Sequence, residues 1–192
     1  RVPTVIREIS DEQVPVFAYA EGVGGGALGV RPTYADLGQT IADNFGVTLP
    51  QIKRTWQEAR DAAVEFDRLG YDSLWVCDHL YGVPMPNLPI LEAWTQLAAI
   101  AAITDQAKLG TLVTPPFFRN PAVLAKQIAT IEQIAPGRTI AGLGAGWFKP
   151  EFEQTGCDFP GTRDRLTALE EMIEVMKRMW TEEKATFEGR FY

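Results

Sequence analysis

His79 is the only histidine in the chain, and it stands directly after Asp78 at the end of an apolar run. Imidazole is the side chain whose ordinary titration falls near neutral pH. A Ser-His-Asp triad, a Cys-His pair or a histidine-ligated metal site must therefore use His79 or be absent. Acid–base work near neutrality is expected to pass through this ring. Two readings of Asp78-His79 stay open at the level of sequence. The pair either hydrogen-bonds strand ends and does nothing else, or His79 sits on a rim and exchanges a proton with a ligand while Asp78 orients the loop. Neighbouring residues on a strand point to opposite sides, so the two are not expected to form one dyad.

Other chemistry-bearing residues are fewer. Gly142, Gly144 and Gly146 precede Trp147, so Trp147 occupies the place where a dinucleotide fingerprint needs its third glycine. The cluster is either a strand end packed closely through its backbone, or a surface on which a flat ligand lies beside Trp147. Gly24, Gly26 and Gly29 do match the fingerprint spacing, but Val30-Arg-Pro32 intervenes before any helix, so a plain glycine-rich turn is expected. Glu151 and Glu153, two apart in an expected loop, read as solvated carboxylates rather than a catalytic pair. Pro115-Pro116 reads as a rigid strand exit. Cys77 and Cys157 give neither a disulfide framework nor a metal spacing, and no metal site is expected.

Four strand–helix units must position these residues. The expected strands are 45–49, 74–77, 108–113 and 139–143, each followed by a stretch of helical period. Thr55 and Glu58 form a capping box for a helix whose Trp56, Ala59, Ala63 and Phe66 share a face, and Gly70 closes it. An apolar helix over about 91–103 is expected to be buried on more than one side. The next helix opens with Asn120 as cap and Pro121 at its first position, with Leu124, Ile128 and Ile131 inward. The last, about 163–180, carries Leu166, Leu169, Ile173, Met176 and Trp180 as its buried stripe. Repeated βα units predict a parallel α/β sheet, either half of an eight-fold barrel or most of an open doubly wound sheet. Both place ligands at the carboxyl ends of the strands. Pro50 and Gln51, Asp78 and His79, residues 112–114, and residues 144–147 should converge there.

Composition narrows the function classes. The 192 residues are 46% hydrophobic, enough for a core, and the net charge of −7 with scattered lysines and arginines offers no basic stripe for nucleic acid. The longest apolar stretch, about 97–103, is too short to cross a bilayer, and no secretion signal is visible. With two cysteines, a reduced, cytoplasmic setting is expected. The chain starts at Arg1 and stops at Tyr192 in mid-pattern, which reads as a fragment.

Several stretches from residue 45 onward occur in a specific order: Phe45-Gly-Val-Thr-Leu-Pro50, Leu69-Gly-Tyr-Asp-Ser-Leu-Trp-Val-Cys-Asp-His-Leu80, Leu109-Gly-Thr-Leu-Val-Thr-Pro115, Arg119-Asn-Pro-Ala-Val-Leu-Ala-Lys-Gln127, Gly142-Leu-Gly-Ala-Gly-Trp147 and Phe187-Glu-Gly-Arg-Phe-Tyr192. Together they closely resemble the luciferase-like monooxygenase family, in particular its branch of oxidoreductases dependent on coenzyme F420, a deazaflavin. The resemblance implies a TIM (β/α) barrel, present here as its first four βα units. It implies a dimer in the intact protein, with F420 or, alternatively, FMN in the barrel mouth. It implies that Asp78 and His79 border the coenzyme ring as the catalytic pair. Thr111, Leu112, Val113, Gly144, Ala145, Gly146 and Trp147 would bind the coenzyme, and a non-prolyl cis peptide at Leu112-Val113 would back its ring. Trp147 departs from the sugar-phosphate dehydrogenases of this branch, which carry a glutamate there, and so argues against a sugar phosphate substrate.

Residues 1–44 form an N-terminal appendage in this reading, with a strand over 14–20, a turn over 22–29 and a helix over 33–44. Val14-Pro-Val-Phe-Ala-Tyr19, Gly29-Val-Arg-Pro-Thr-Tyr-Ala-Asp-Leu-Gly38 and Ile41-Ala-Asp-Asn-Phe-Gly46 resemble, more weakly, the C-terminal end of phosphopentomutases. In that family a metal-binding histidine precedes this tail; Ile9 stands in its place, so no metal site carries over. Residues 45–192 would be the partial barrel, the two resemblances meeting at a fusion point. The expected activity is hydride transfer between F420 and a small organic substrate. FMN-dependent oxygenation is the first alternative, and a non-catalytic fragment or fusion the second.

Overall fold

The computed structural model describes the backbone of residues 4–8 and the whole of residues 46–192. The strand, turn and helix expected within 9–45, and the glycine cluster there, lie outside the described residues. The elements are β1 (Thr4–Glu8), β2 (Gly46–Thr48), α1 (Trp56–Arg68), β3 (Ser73–Val76), α2 (Ala93–Ala101), β4 (Lys108–Thr111), α3 (Pro121–Ile134), β5 (Thr139–Gly144), α4 (Lys149–Thr155) and α5 (Thr162–Thr181).

All five strands pair in parallel in the order β1-β5-β4-β3-β2. From β2 to β5 each βα unit lays its strand beside the previous one, with no reversal. A doubly wound sheet reverses direction at its switch point, whereas a barrel wall winds one way, so the order selects the barrel. Strand β1, which sequence reading did not anticipate, adds to the free edge of β5, with Thr4 opposite Ile140 and Glu8 opposite Gly144. The residues before the barrel thus supply backbone partners to an edge strand that would otherwise expose its N–H and C=O groups.

Local chemistry explains most helix ends. The Thr55 hydroxyl accepts from Glu58 N while the Glu58 side chain accepts from Thr55 N, completing the capping box. Gly70 follows α1 at φ +82°, where a Cβ would be strained. Asn120 caps α3, and Pro121 opens it without losing a hydrogen bond. Helix α2 is shorter than expected because the Glu92 carboxylate, accepting from Trp94 N and Thr95 N, starts it at Ala93. Both faces of α2 are buried, as its composition suggests, with Trp94, Leu97 and Ile100 inaccessible beside Gln96. These residues join Leu74, Leu109, Leu124, Ile128, Leu143, Leu169 and Met172 in one core between sheet and helices. The α5 stripe packs onto that core, and Trp180 Nε1 donates to the Ala125 carbonyl at 3.1 Å.

At the amino ends of the strands, opposite the expected ligand rim, Asp67 receives the backbone N–H groups of Asp105, Gln106 and Ala107 at 2.9, 3.0 and 2.7 Å. Burial opposes the Asp67 charge, but these three hydrogen bonds and Arg138 outweigh it and hold the carboxyl below its ordinary range. A depressed carboxylate stabilises the fold at pH values above the unfolded value of about 3.9 and loses that contribution as pH falls through the folded value. Asp67→Ala is expected to lower stability by about 2 kcal/mol at pH 7. Urea unfolding should show that gap narrowing on acidification below pH ~4; a gap independent of pH would refute the assignment.

Candidate active site

The carboxyl ends of β3, β4 and β5 meet around a cavity of about 180 Å³ lined by Asp78, His79, Leu112, Val113, Pro115, Phe118, residues 144–148, Glu151 and Phe152. Three of the four expected strand ends therefore converge. The fourth does not reach the cavity. Gln51 instead turns its amide onto the next strand, donating to the Cys77 carbonyl at 3.0 Å and accepting from Cys77 N at 2.6 Å. It prolongs the β2–β3 ladder by one side chain.

Asp78 and His79 face different partners, as their adjacency on an extended chain requires. The Asp78 carboxylate is wholly buried and held at both oxygens by the Arg119 guanidinium, with Nη2 to Oδ1 at 2.9 Å and Nη1 on Oδ2. Thr114 Oγ1 donates to the same Oδ2 at 2.6 Å and accepts from Trp94 Nε1 at 2.9 Å. Arg119 Nη2 also reaches Glu92 Oε1 at 2.9 Å. Burial works against the guanidinium's charge, yet Asp78 and Glu92 raise its pKa above the ordinary value. Burial likewise opposes the Glu92 charge, and the Thr95 hydrogen bonds with Arg119 overcome it to hold Glu92 low. Two carboxylates and one guanidinium thus form a charged knot behind the rim. Asp78 lines the cavity, but its oxygens are committed to protein donors.

His79 is differently placed. Its side chain is 21% exposed, and Nδ1 lies 2.8 Å from Oε2 of Glu151, which is 1% exposed. The other Glu151 oxygen accepts from Leu80 N at 2.6 Å. Glu151 was expected to be solvated in a loop; that expectation fails because residues 149–155 form helix α4, whose first turn carries Glu151 inward beside the buried Phe152. Glu153 does stay at the surface, paired with Lys149. A seven-residue helix is too short to show a period, so neither α4 nor the burial of Glu151 was visible from the pattern. Trp147 stands edge-on to His79 with ring centroids 6.5 Å apart and is 63% exposed.

The remaining walls are backbone and hydrocarbon. The peptide bond Leu112-Val113 is cis. Strand β4 ends at Thr111 rather than at 113, and the chain rejoins the sheet at Thr114, opposite Leu143. Two readings of the glycine cluster divide along it. A Cβ on Gly142 would lie 1.7 Å from the Thr111 carbonyl oxygen, so glycine is required there for close packing. Gly144, Ala145 and Gly146 line the cavity, and Gly146 adopts φ +78°. Thr111 is placed apart from the others: it is fully buried, its hydroxyl donates to the Gly142 carbonyl at 2.8 Å, and it does not line the cavity. Burial, and next the Asp78 charge, push the Cys77 thiol up, which keeps it protonated at neutral pH and unsuited to nucleophilic chemistry.

A cavity at the carboxyl end of a one-way-wound parallel sheet, with a cis peptide after the third barrel strand, agrees with a sequence comparison in which the family model of the luciferase-like monooxygenases matches residues 37–192. The chain belongs to the luciferase-like monooxygenase family. Within this family it is 40% identical over 133 residues to an F420-dependent glucose-6-phosphate dehydrogenase of Kineococcus radiotolerans, covering 69% of this chain and 39% of that enzyme. Among solved luciferase-like structures, an F420-dependent secondary alcohol dehydrogenase in complex with an F420-acetone adduct superposes with a TM-score of 0.69 at 30% identity, over 77% of this chain and 45% of that one. The oxygenating constituent of 3,6-diketocamphane monooxygenase of Pseudomonas putida, a type II Baeyer-Villiger monooxygenase in complex with FMN, superposes with a TM-score of 0.64 at 25% identity, over 78% of this chain and 42% of that one. The chain spans about two fifths of the length of the dehydrogenases it matches.

Proposed function

We propose that the protein is an oxidoreductase that exchanges a hydride between coenzyme F420 and a small organic substrate, with the described cavity forming one wall of the site. The observation that carries this reading is a single imidazole, anchored through Nδ1 by a buried carboxylate, set in a cavity whose remaining walls, apart from the Arg119-bound Asp78, are apolar side chains and backbone that includes Gly144 and Gly146. Those walls fit a flat heterocycle: residues 112–113 and 144–146 offer backbone and hydrocarbon, and Trp147 offers an aromatic edge. When bound, the deazaflavin supplies the hydride acceptor or donor. The residues of this chain supply the proton and the enclosure. In the direction of alcohol oxidation, the substrate hydroxyl proton passes to His79; in carbonyl reduction His79 returns it. Asp78, locked by Arg119 and Thr114, holds the strand exit that carries His79.

The matched relatives include F420-dependent glucose-6-phosphate dehydrogenases and an F420-dependent secondary alcohol dehydrogenase, which supports F420 ahead of FMN. The cavity lining contains no lysine or arginine among the described residues, and Trp147 adds apolar surface, which supports an uncharged substrate over a sugar phosphate. Two free thiols suit a reducing, cytoplasmic setting, and a homodimer of the intact protein belongs to the same reading. The test is titration with F420 and, separately, with FMN, followed by absorbance. Saturable binding of F420 with reduction by a secondary alcohol is expected. Binding of FMN alone, with oxygen consumption, would replace the reading by a monooxygenase, and binding of neither would reduce the protein to a non-catalytic fragment.

A further inference from the structure

We infer that Glu151 is a positioning residue that fixes His79 as the Nδ1–H tautomer and so leaves Nε2 as the ring's proton acceptor. The catalytic use of that acceptor rests on the function proposed above; the tautomer itself does not. Glu151 is almost completely buried, yet its only side-chain hydrogen-bond partners among the described residues are His79 Nδ1 and Leu80 N. Arg119, the cation behind the rim, is committed to Asp78 and Glu92. A buried carboxylate without a cation is costly unless donors satisfy it. Two donors are available, one fixed and one that depends on the ring. Leu80 N always donates, and a carboxylate only accepts, so the nitrogen that faces Oε2 must carry a hydrogen. In the neutral ring the second nitrogen, Nε2, is then bare and has no protein partner among the described residues. Helix α4 sets this geometry, because Glu151 lies in its first turn while Phe152 anchors the helix in the core.

A substitution of near-identical shape inverts the arrangement. In Glu151→Gln the amide has one acceptor and one donor end. Leu80 N takes the acceptor oxygen, the amide nitrogen is turned to Nδ1, and Nδ1 must accept; the ring hydrogen moves to Nε2. The fold is retained while the proton acceptor disappears. A purely structural Glu151, tying Leu80 to α4, would leave the ring unaffected.

His79 is the only histidine, so long-range nitrogen–proton correlation spectra of the labelled chain contain one imidazole and need no assignment. At a pH where the ring is neutral, the wild type is expected to show a protonated Nδ1 and a bare Nε2, and Glu151→Gln the reverse. A bare Nδ1 in the wild type, which is read without any variant, overturns the inference, as does an unchanged tautomer in a folded Glu151→Gln. In the intact protein, Glu151→Gln should reduce kcat on the order of 10²–10⁴-fold with little change in KM. A tautomer that follows Glu151 in a protein that neither binds F420 nor turns over leaves the positioning role standing and removes the oxidoreductase reading. Turnover with a tautomer indifferent to Glu151 does the opposite.

Discussion

Arg119→Leu is expected to cost about 3–5 kcal/mol of stability, the largest loss from any single side chain described here. Leucine replaces the aliphatic stem but strips Asp78 of its cation. Asp78 is wholly buried, and after the substitution it keeps, among the described residues, only the Thr114 hydroxyl as a partner. Glu92 loses the same cation but retains its role as cap of α2 through Trp94 N and Thr95 N. The cost therefore falls chiefly on one uncompensated buried carboxylate. Urea unfolding at pH 7 measures it through the midpoint at unchanged slope. The double variant Asp78→Asn/Arg119→Leu should recover part of the loss, because an amide is cheaper to bury than an unpaired charge. A single-variant loss below about 1 kcal/mol would mean that the knot is solvated and structurally idle.

Removing the imidazole has the opposite signature. His79→Ala in the intact protein is expected to lower kcat by 10²–10⁴-fold, the usual contribution of a positioned acid–base group. Stability should fall by only about 1–2 kcal/mol, because His79 is partly exposed and the main cost is a donor lost to Glu151. The pairing of a large kinetic loss with a small stability loss separates His79 from Arg119, whose replacement disturbs the fold first. Steady-state kinetics with F420 alongside thermal unfolding makes that comparison. Unchanged turnover would remove His79 from the mechanism.

How much of this was legible beforehand depended on the range of the interactions. The capping box at Thr55 and Glu58, the Asn120-Pro121 start of α3 and the glycine after α1 are local, spanning at most a few residues, and each was read at its observed place. The cis bond at Leu112-Val113 was implied by resemblance and is present. Strand ends were read less well: β4 stops at Thr111, and β3 begins at Ser73, one residue early, because ladder partners decide where pairing stops. Strand β1 was missed because Thr4-Val-Ile-Arg-Glu8 lacks the apolar–polar alternation of a strand and its pairing depends on the free edge of β5.

The site divides along the same line. Residue types and their order named His79 as the sole imidazole, put it at a strand's carboxyl end and marked the glycine-rich rim, because these follow from composition and short-range periodicity. The partners of those residues came from far along the chain. Asp78 meets Arg119 across 41 positions and His79 meets Glu151 across 72. Periodicity over a dozen residues carries no information at such separations; packing of the helices against the sheet sets them. Folding therefore turned a glutamate that looked solvated into the buried partner of the imidazole, and turned Asp78, a candidate for chemistry, into the buried counter-ion of Arg119.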